Sequence, residues 1–291
     1  MGILLDVKAL VHKRRLELRQ KVLFLQENYQ ITPKIVVIIV GENPGSQSYV
    51  KGKQTAARAI GVESEVIAYP ETVSQVEILQ VIQKHNADPK THGIIVQLPL
   101  PANLDESLIT STILADKDVD GFCAEHQGRL VSGQKGFISC TPKGIIEILK
   151  MSGQTIAGKH VVVIGRSNIV GKPVALLAVA EHATVTICHS QTQNLCAITQ
   201  MADILIVAIG KAEFITKEYV KSGAIVIDVG VNRASGTTKL LGDVKTTDVL
   251  EVASIVTPVP GGVGPMTITM LLENTIEAAY FQNHIAFDIS Y

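Results

Sequence analysis

The sequence predicts an α/β protein whose second half forms a doubly wound parallel sheet, and three observations predict it. First, from His160 onward β-branched runs alternate with helix-like segments: strand 160–165, helix 171–182, strand 184–188, helix 193–201, strand 204–209, helix 216–221, strand 224–229 and strand 254–257. Second, His160 to Pro173, HVVVIGRSNIVGKP, climbs from a strand into Gly165 and reaches Gly171 just before an Ala- and Leu-rich segment. Such a strand, turn and helix is Rossmann-like, because the glycines admit a ligand to the backbone and the helix N-terminus favours a phosphate. Third, 291 residues with 46% hydrophobic and 4% aromatic content suit two domains rich in aliphatic side chains. The glycine spacing departs from G-x-G-x-x-G, since Ser167 takes the second glycine position and the last glycine comes one residue late.

Charge and cysteine usage exclude several classes. A formal net charge of -1 leaves no global field for nucleic acid or an anionic membrane, so neither is expected as a partner. Cys123, Cys140, Cys188 and Cys196 lack C-x-x-C spacing, and no metal site is expected; a reduced, cytoplasmic protein is the simple reading. The opening MGILLDVKALVHKRR reaches charge too soon for a secretory signal or a membrane span, and Asp6 stands where myristoylation wants Ser or Thr.

In the first half, Asp6 to Tyr29 has helical spacing, Ile35 to Val40 reads as a buried strand, and Gly41 to Gly45 as a loop. The helix that follows stops at Gly61 and carries Tyr49 and Lys53 four apart, on one face. That pair is either an exposed lysine lying on a tyrosine or part of a ligand site at a strand's carboxyl end. Ser74 and Glu77 form a capping box for a helix to about His85. Gly93 to Leu98 is another buried strand, in which Gln97 is either a satisfied structural amide or a site residue. Asp118 and Asp120 read as an acidic turn. Thr141 as N-cap and Pro142 at the first position open a helix Lys143 to Lys150, where the domain crossover is placed.

After the strand 184–188, Cys188-His189-Ser190 offers nothing acidic to hold a ribose diol or repel a 2′-phosphate, and Arg166 is available to meet one, which favours NADP over NAD. Thr257 to Thr267, TPVPGGVGPMT, is either an interdomain hinge or a loop that brings its backbone to a flat ligand. Met270 to Tyr280 reads as a final helix returning to the first domain.

Taken together, SQSYVKGK, GIIVQLPLP, KDVDGF, CTPKG, VVVIGRSNIVGKP, ATVTICHS, ADILIVAIGK, GAIVIDVGVNR, GDV and TPVPGGVGPMT resemble, in order, the bifunctional methylenetetrahydrofolate dehydrogenase/methenyltetrahydrofolate cyclohydrolases. The resemblance implies two α/β domains around a cleft: 1–140 with 270–291 binding folate and carrying catalysis, and 141–269 binding NADP. It implies oxidation of 5,10-methylenetetrahydrofolate and hydrolysis of the 5,10-methenyl product to 10-formyltetrahydrofolate, by a homodimer.

By that likeness Lys53 is the catalytic acid/base, Tyr49 lines the pocket against the folate rings, Gln97 bonds near the lysine and Asp120 anchors the pterin. Val50, Val96, Leu98, Pro260, Gly261, Gly262 and Gly264 are further folate contacts. Gly165, Arg166, Ser167, Ser190 and Val231 are carried over to the cofactor. Gln191 stands where many members have Arg or Lys, which keeps NAD as a second candidate, and His126 replaces a common Asn. A catalytically silent nucleotide or folate binder, or a dehydrogenase without the cyclohydrolase step, is the alternative; the intact Tyr49, Lys53, Gln97 and Asp120 argue against the silent binder.

Overall fold

The computed structural model describes residues 2–233 and 239–287. In chain order it opens with β1 (Ile3–Leu4), α1 (Val7–Tyr29), β2 (Lys34–Val40), α2 (Pro44–Ile60) and β3 (Glu63–Tyr69). Then come α3 (Gln75–Ala87), β4 (Gly93–Val96), α4 (Glu106–Ser111), α5 (Ala124–Val131) and α6 (Cys140–Met151). The second half holds β5 (His160–Ile164), α7 (Gly171–Ala180), β6 (Thr184–Cys188), α8 (Leu195–Thr199), β7 (Ile204–Val207) and β8 (Ile225–Asp228). It closes with β9 (Asn232–Arg233), β10 (Leu240–Leu241), α9 (Thr246–Val249), β11 (Ile255–Val256) and α10 (Val263–Gln282).

The chain divides into two compact units, Arg14–Cys140 with Ile268–Tyr291, and Met1–Lys13 with Thr141–Thr267. The first is built on a three-stranded parallel sheet in the order β3-β2-β4, with Ile38 opposite Ile67 on one side and Val96 on the other. Central β2 reads KIVVIIV because a parallel strand covered on both faces has no polar side to present. Val36, Ile38, Ile78, Ile82, Ile94 and Ile109 fill the core beside it. Asn43 Oδ1 accepts from the N–H groups of Gly45 (2.9 Å) and Ser46 (3.2 Å) and so starts α2 at the carboxyl end of β2.

The second unit carries a six-stranded parallel sheet, β1-β11-β8-β7-β5-β6. β5 pairs with β6 on one side and β7 on the other, so the chain switches sides at its carboxyl end. Residues 1–13, expected with the first domain, group with this unit because Ile3 and Leu4 extend its sheet beside Ile255 and Val256. Residues 288–291 of the expected segment 270–291 lie outside the described residues.

Several boundaries differ from expectation. α6 begins at Cys140, so Thr141 and Pro142 sit inside its first turn, and the Thr141 hydroxyl meets that of Thr267 at 3.1 Å instead of capping. Segment 216–221 is a single 3₁₀ turn, Lys217–Tyr219, and 193–201 shrinks to α8 after Asn194 adopts a left-handed φ of 51°. α10 starts at Val263, inside the expected loop, since Pro265 falls in the first turn where a missing N–H costs nothing. Among the described residues no helix is long and apolar enough to cross a membrane.

Candidate active site

In the first unit, α2 places Tyr49 and Lys53 one turn apart, with Lys53 Nζ 4.8 Å from the centre of the Tyr49 ring. Gln97 continues the line of β4, its N–H donating to Ile38 O at 2.8 Å. Its Nε2 donates to Leu98 O (2.9 Å), which turns Oε1 toward Lys53 Nζ at 3.1 Å. Gln97 is therefore both a satisfied amide and the partner of the lysine. Lys53 is only 6% exposed and forms no ion pair among the described residues.

Burial governs the charges here. It lowers the Lys53 ammonium from its ordinary value, against the opposing pull of Asp120 and Cys140. Burial also raises the Asp120 carboxyl, which Lys53 only partly offsets, and raises the Tyr49 phenol. Lysine and carboxyl both move toward their neutral forms, the condition a buried proton-transfer site needs. The Cys140 thiol donates to Val119 O (3.4 Å) and approaches Asp120 Oδ1 (3.7 Å), while Asn274 Nδ2 donates to Val119 O (2.8 Å) and Ile138 O (3.0 Å). Cys140 and Asn274 thus fix the backbone that presents Asp120. Sequence reasoning missed both in this role; CTPKG signalled the cysteine, and nothing local signalled Asn274.

Val50 and Val96 are buried, and Val96 belongs to the core beside Ile94. Below Asp120 the buried Asp118 accepts from Cys123 N–H at 2.7 Å. His126 bonds Ala115 O through Nε2 (2.8 Å) and sets its ring edge against Phe137, so it pins α5 to the preceding turn. Side-chain atoms of Asp118, Cys123 and His126 lie within 4.8 Å of one another, but burial pushes the Cys123 thiol up to about 11, which keeps it protonated near neutral pH.

In the second unit, Gly165 follows β5 at φ 125°, and a Cβ there would lie 2.3 Å from Ala208 O. One on Gly171 would lie 2.2 Å from Gly165 O, so both positions demand glycine. Ser167 Oγ accepts from Val170 N–H (3.2 Å) and Gly171 N–H (3.3 Å), shaping the turn into α7. Beside these glycines lies a cavity of about 290 Å³, walled by Gly165, Arg166, His189, Ser190, Lys211 and Phe214 among others. Two cations and no carboxylate line it, and the glycine cradle brings bare backbone to it, so the residues fit a dinucleotide phosphate. Ser167 and Val231 are not in its wall; Val231 follows β8 and is 62% exposed. Sequence reasoning missed Lys211 as a pocket residue.

Pro260, Gly261, Gly262 and Gly264 also belong to the second unit. Gly262 is held against Pro258 O, 2.3 Å from where a Cβ would stand, and Gly264 already lies in α10. The peptide bonds Leu98–Pro99 and Val259–Pro260 are cis.

Residues 5–120 match the tetrahydrofolate dehydrogenase/cyclohydrolase catalytic domain, and 139–283 match the NAD(P)-binding domain of the same family. The chain is 53% identical to the bifunctional protein FolD of Exiguobacterium sibiricum, over 96% of this chain and 100% of that one. The chain belongs to this family. Among solved structures, the tetrahydrofolate dehydrogenase/cyclohydrolase of Campylobacter jejuni superposes with a TM-score of 0.93 at 45% identity, covering 97% of this chain and 99% of that one. The Trypanosoma brucei enzyme, solved with NADP and an inhibitor, gives 0.93 at 35% identity, covering 98% and 99%. The catalytic-domain match contains Tyr49, Lys53, Gln97 and Asp120, and the NAD(P)-domain match contains the cavity of Arg166, Ser190 and Lys211.

Proposed function

We infer that the chain oxidises 5,10-methylenetetrahydrofolate with NADP and hydrolyses the resulting 5,10-methenyl cation to 10-formyltetrahydrofolate, with Lys53 as the general base of the second step. The observation that carries the reading is a buried lysine, lowered in pKa, bonded to a neutral amide and stacked on a phenol ring. A cationic substrate disfavours a second cation beside it, which lowers such a lysine further. Neutral Nζ then takes a proton from the water that attacks the methenyl carbon, and returns a proton as the C–N5 bond breaks.

Gln97 Oε1 aims the Nζ lone pair by accepting one of its N–H groups. Asp120 anchors the pterin, and Tyr49 and Leu98 line the rings. Gly165, Arg166, Ser167 and Ser190 hold NADP, with Val231 beside it; bound NADP supplies the hydride acceptor. Hydride transfer needs no protein proton donor, so the two steps depend on different residues.

Lys53→Met is expected to slow hydrolysis of methenyltetrahydrofolate by roughly 100-fold or more, with NADP affinity unchanged by calorimetry. Hydrolysis at the parent rate would remove Lys53 from the mechanism. A cytoplasmic homodimer joined through the second unit accompanies this reading. The reduced thiols of Cys123, Cys188 and Cys196 support the compartment, and β6, which ends the six-stranded sheet with one edge unpaired among the described residues, supports the interface.

A further inference from the structure

We propose that Lys211 supplies the 2′-phosphate of NADP with the charge that Gln191 does not, and so sets the preference of this chain for NADP over NAD. The inference rests on the reading of the 290 Å³ cavity as the cofactor site. Within its wall, the lysine and arginine side chains come from two places: Arg166, just after β5, and Lys211, in the loop that follows β7 and also lines the cavity with Ala208 and Ile209. Ser190, two residues beyond β6, also lines it, and no lining residue is acidic. Gln191 itself is exposed and uncharged, its N–H turned back to His189 Nδ1 at 3.2 Å.

The loop that carries Lys211 is fixed from beneath. Asp243, fully buried, accepts from Ile209 N–H (2.7 Å) and Gly210 N–H (3.0 Å) at one oxygen, and from Lys211 N–H (2.8 Å) at the other. That carboxylate holds the backbone and leaves the ammonium free of it. Lys211 Nζ lies 5.5 Å from the centre of the Phe214 ring, itself part of the cavity wall, and pairs with no carboxylate among the described residues. Two other lysines of the same unit are paired, Lys217 with Glu251 at 2.6 Å and Lys221 with Asp203 at 2.7 Å. An ammonium in the wall of a pocket lined by no carboxylate is suited to a phosphate dianion and adds far less for a neutral ribose hydroxyl.

Calorimetric titration of the parent chain, Lys211→Met and Lys211→Arg with NADP, NAD and 2′,5′-ADP tests the assignment without relying on turnover. Lys211→Met is expected to weaken NADP and 2′,5′-ADP by about 10- to 100-fold and to leave NAD within about 2-fold. Lys211→Arg should retain most of the affinity, and Gln191→Arg added to Lys211→Met should restore part of it. Equal losses for NADP and NAD, or no loss for either, would overturn the role of Lys211 while leaving the cofactor site in place. A parent chain that binds neither NADP nor 2′,5′-ADP would overturn the cavity reading and this proposal with it.

Discussion

Lys53 is held between two influences of opposite sign: burial favours the neutral amine, while Asp120 and Cys140 favour the ammonium. Its direct side-chain partner, Gln97, adds no charge, and that neutrality is what Gln97→Glu would change. A carboxylate 3.1 Å from Nζ, at the place of the present amide oxygen, would raise the lysine pKa by roughly 1 to 3 units. With Lys53 as the proposed base, cyclohydrolase activity requires the neutral amine, so its rate is expected to rise with pH through the Lys53 pKa. In Gln97→Glu that rise is expected to move upward by about one unit or more, as read from single-turnover hydrolysis of methenyltetrahydrofolate across pH. An unmoved limb would mean that another group titrates. The spacing of Tyr49 and Lys53 was legible from helical periodicity alone, because both lie on one helix. The placing of Cys140 and Asn274 was not, since each acts on residues distant in sequence, as Asn274 does on Val119.

Among the elements, β6 is an edge strand of the six-stranded sheet. It pairs only with β5, and Ile187 on it is 40% exposed, an apolar side chain at an open edge. Such an edge is a template for pairing unless charge guards it, and TVTIC carries none. If the proposed homodimer pairs through this edge, Ile187→Lys is expected to sediment as a monomer where the parent sediments as a dimer, with the far-ultraviolet dichroism of the parent retained; a dimeric variant, or a monomeric parent, would remove β6 from the proposed interface. The buried strands of both sheets were legible because their β-branched runs are unbroken. β3 was not, because its ESEVIAY is an edge strand whose Glu63 and Glu65 pair with Lys34 at 3.4 and 2.8 Å, so polar side chains interrupt the apolar run. The early start of α10 was hidden for a related reason: glycine and proline suggest a loop, yet proline is compatible with a first helical turn.

At the scale of the whole molecule, acid acts on the fold through buried histidine. His92 is 4% exposed, accepts from Lys34 N–H through Nδ1 at 3.1 Å, and presents its carbonyl to Gln282 Nε2 at 2.9 Å, so it ties β2 and β4 to the end of α10. Burial, with help from the charge of Lys117, lowers its pKa to about 4 from 6.5. Between those values the unfolded chain takes up a proton that the folded chain refuses, so stability is lost as pH falls from 6.5 toward 4. His85, also lowered by burial, acts in the same direction. Asp228, raised by burial to about 6, acts in the other, because the folded chain then holds the extra proton between 3.8 and 6. The net acid response is therefore a difference between terms, and the His92 term is isolated by comparing variants. His92→Gln keeps an acceptor for Lys34 N–H but cannot titrate. Whatever the cost of the substitution at pH 7.5, the gap in Tm between parent and variant should shift in favour of the variant by about 5 °C at pH 4.5, corresponding to roughly 2 kcal/mol. A gap that is the same at both pH values would show that His92 is not the group through which acid destabilises this unit.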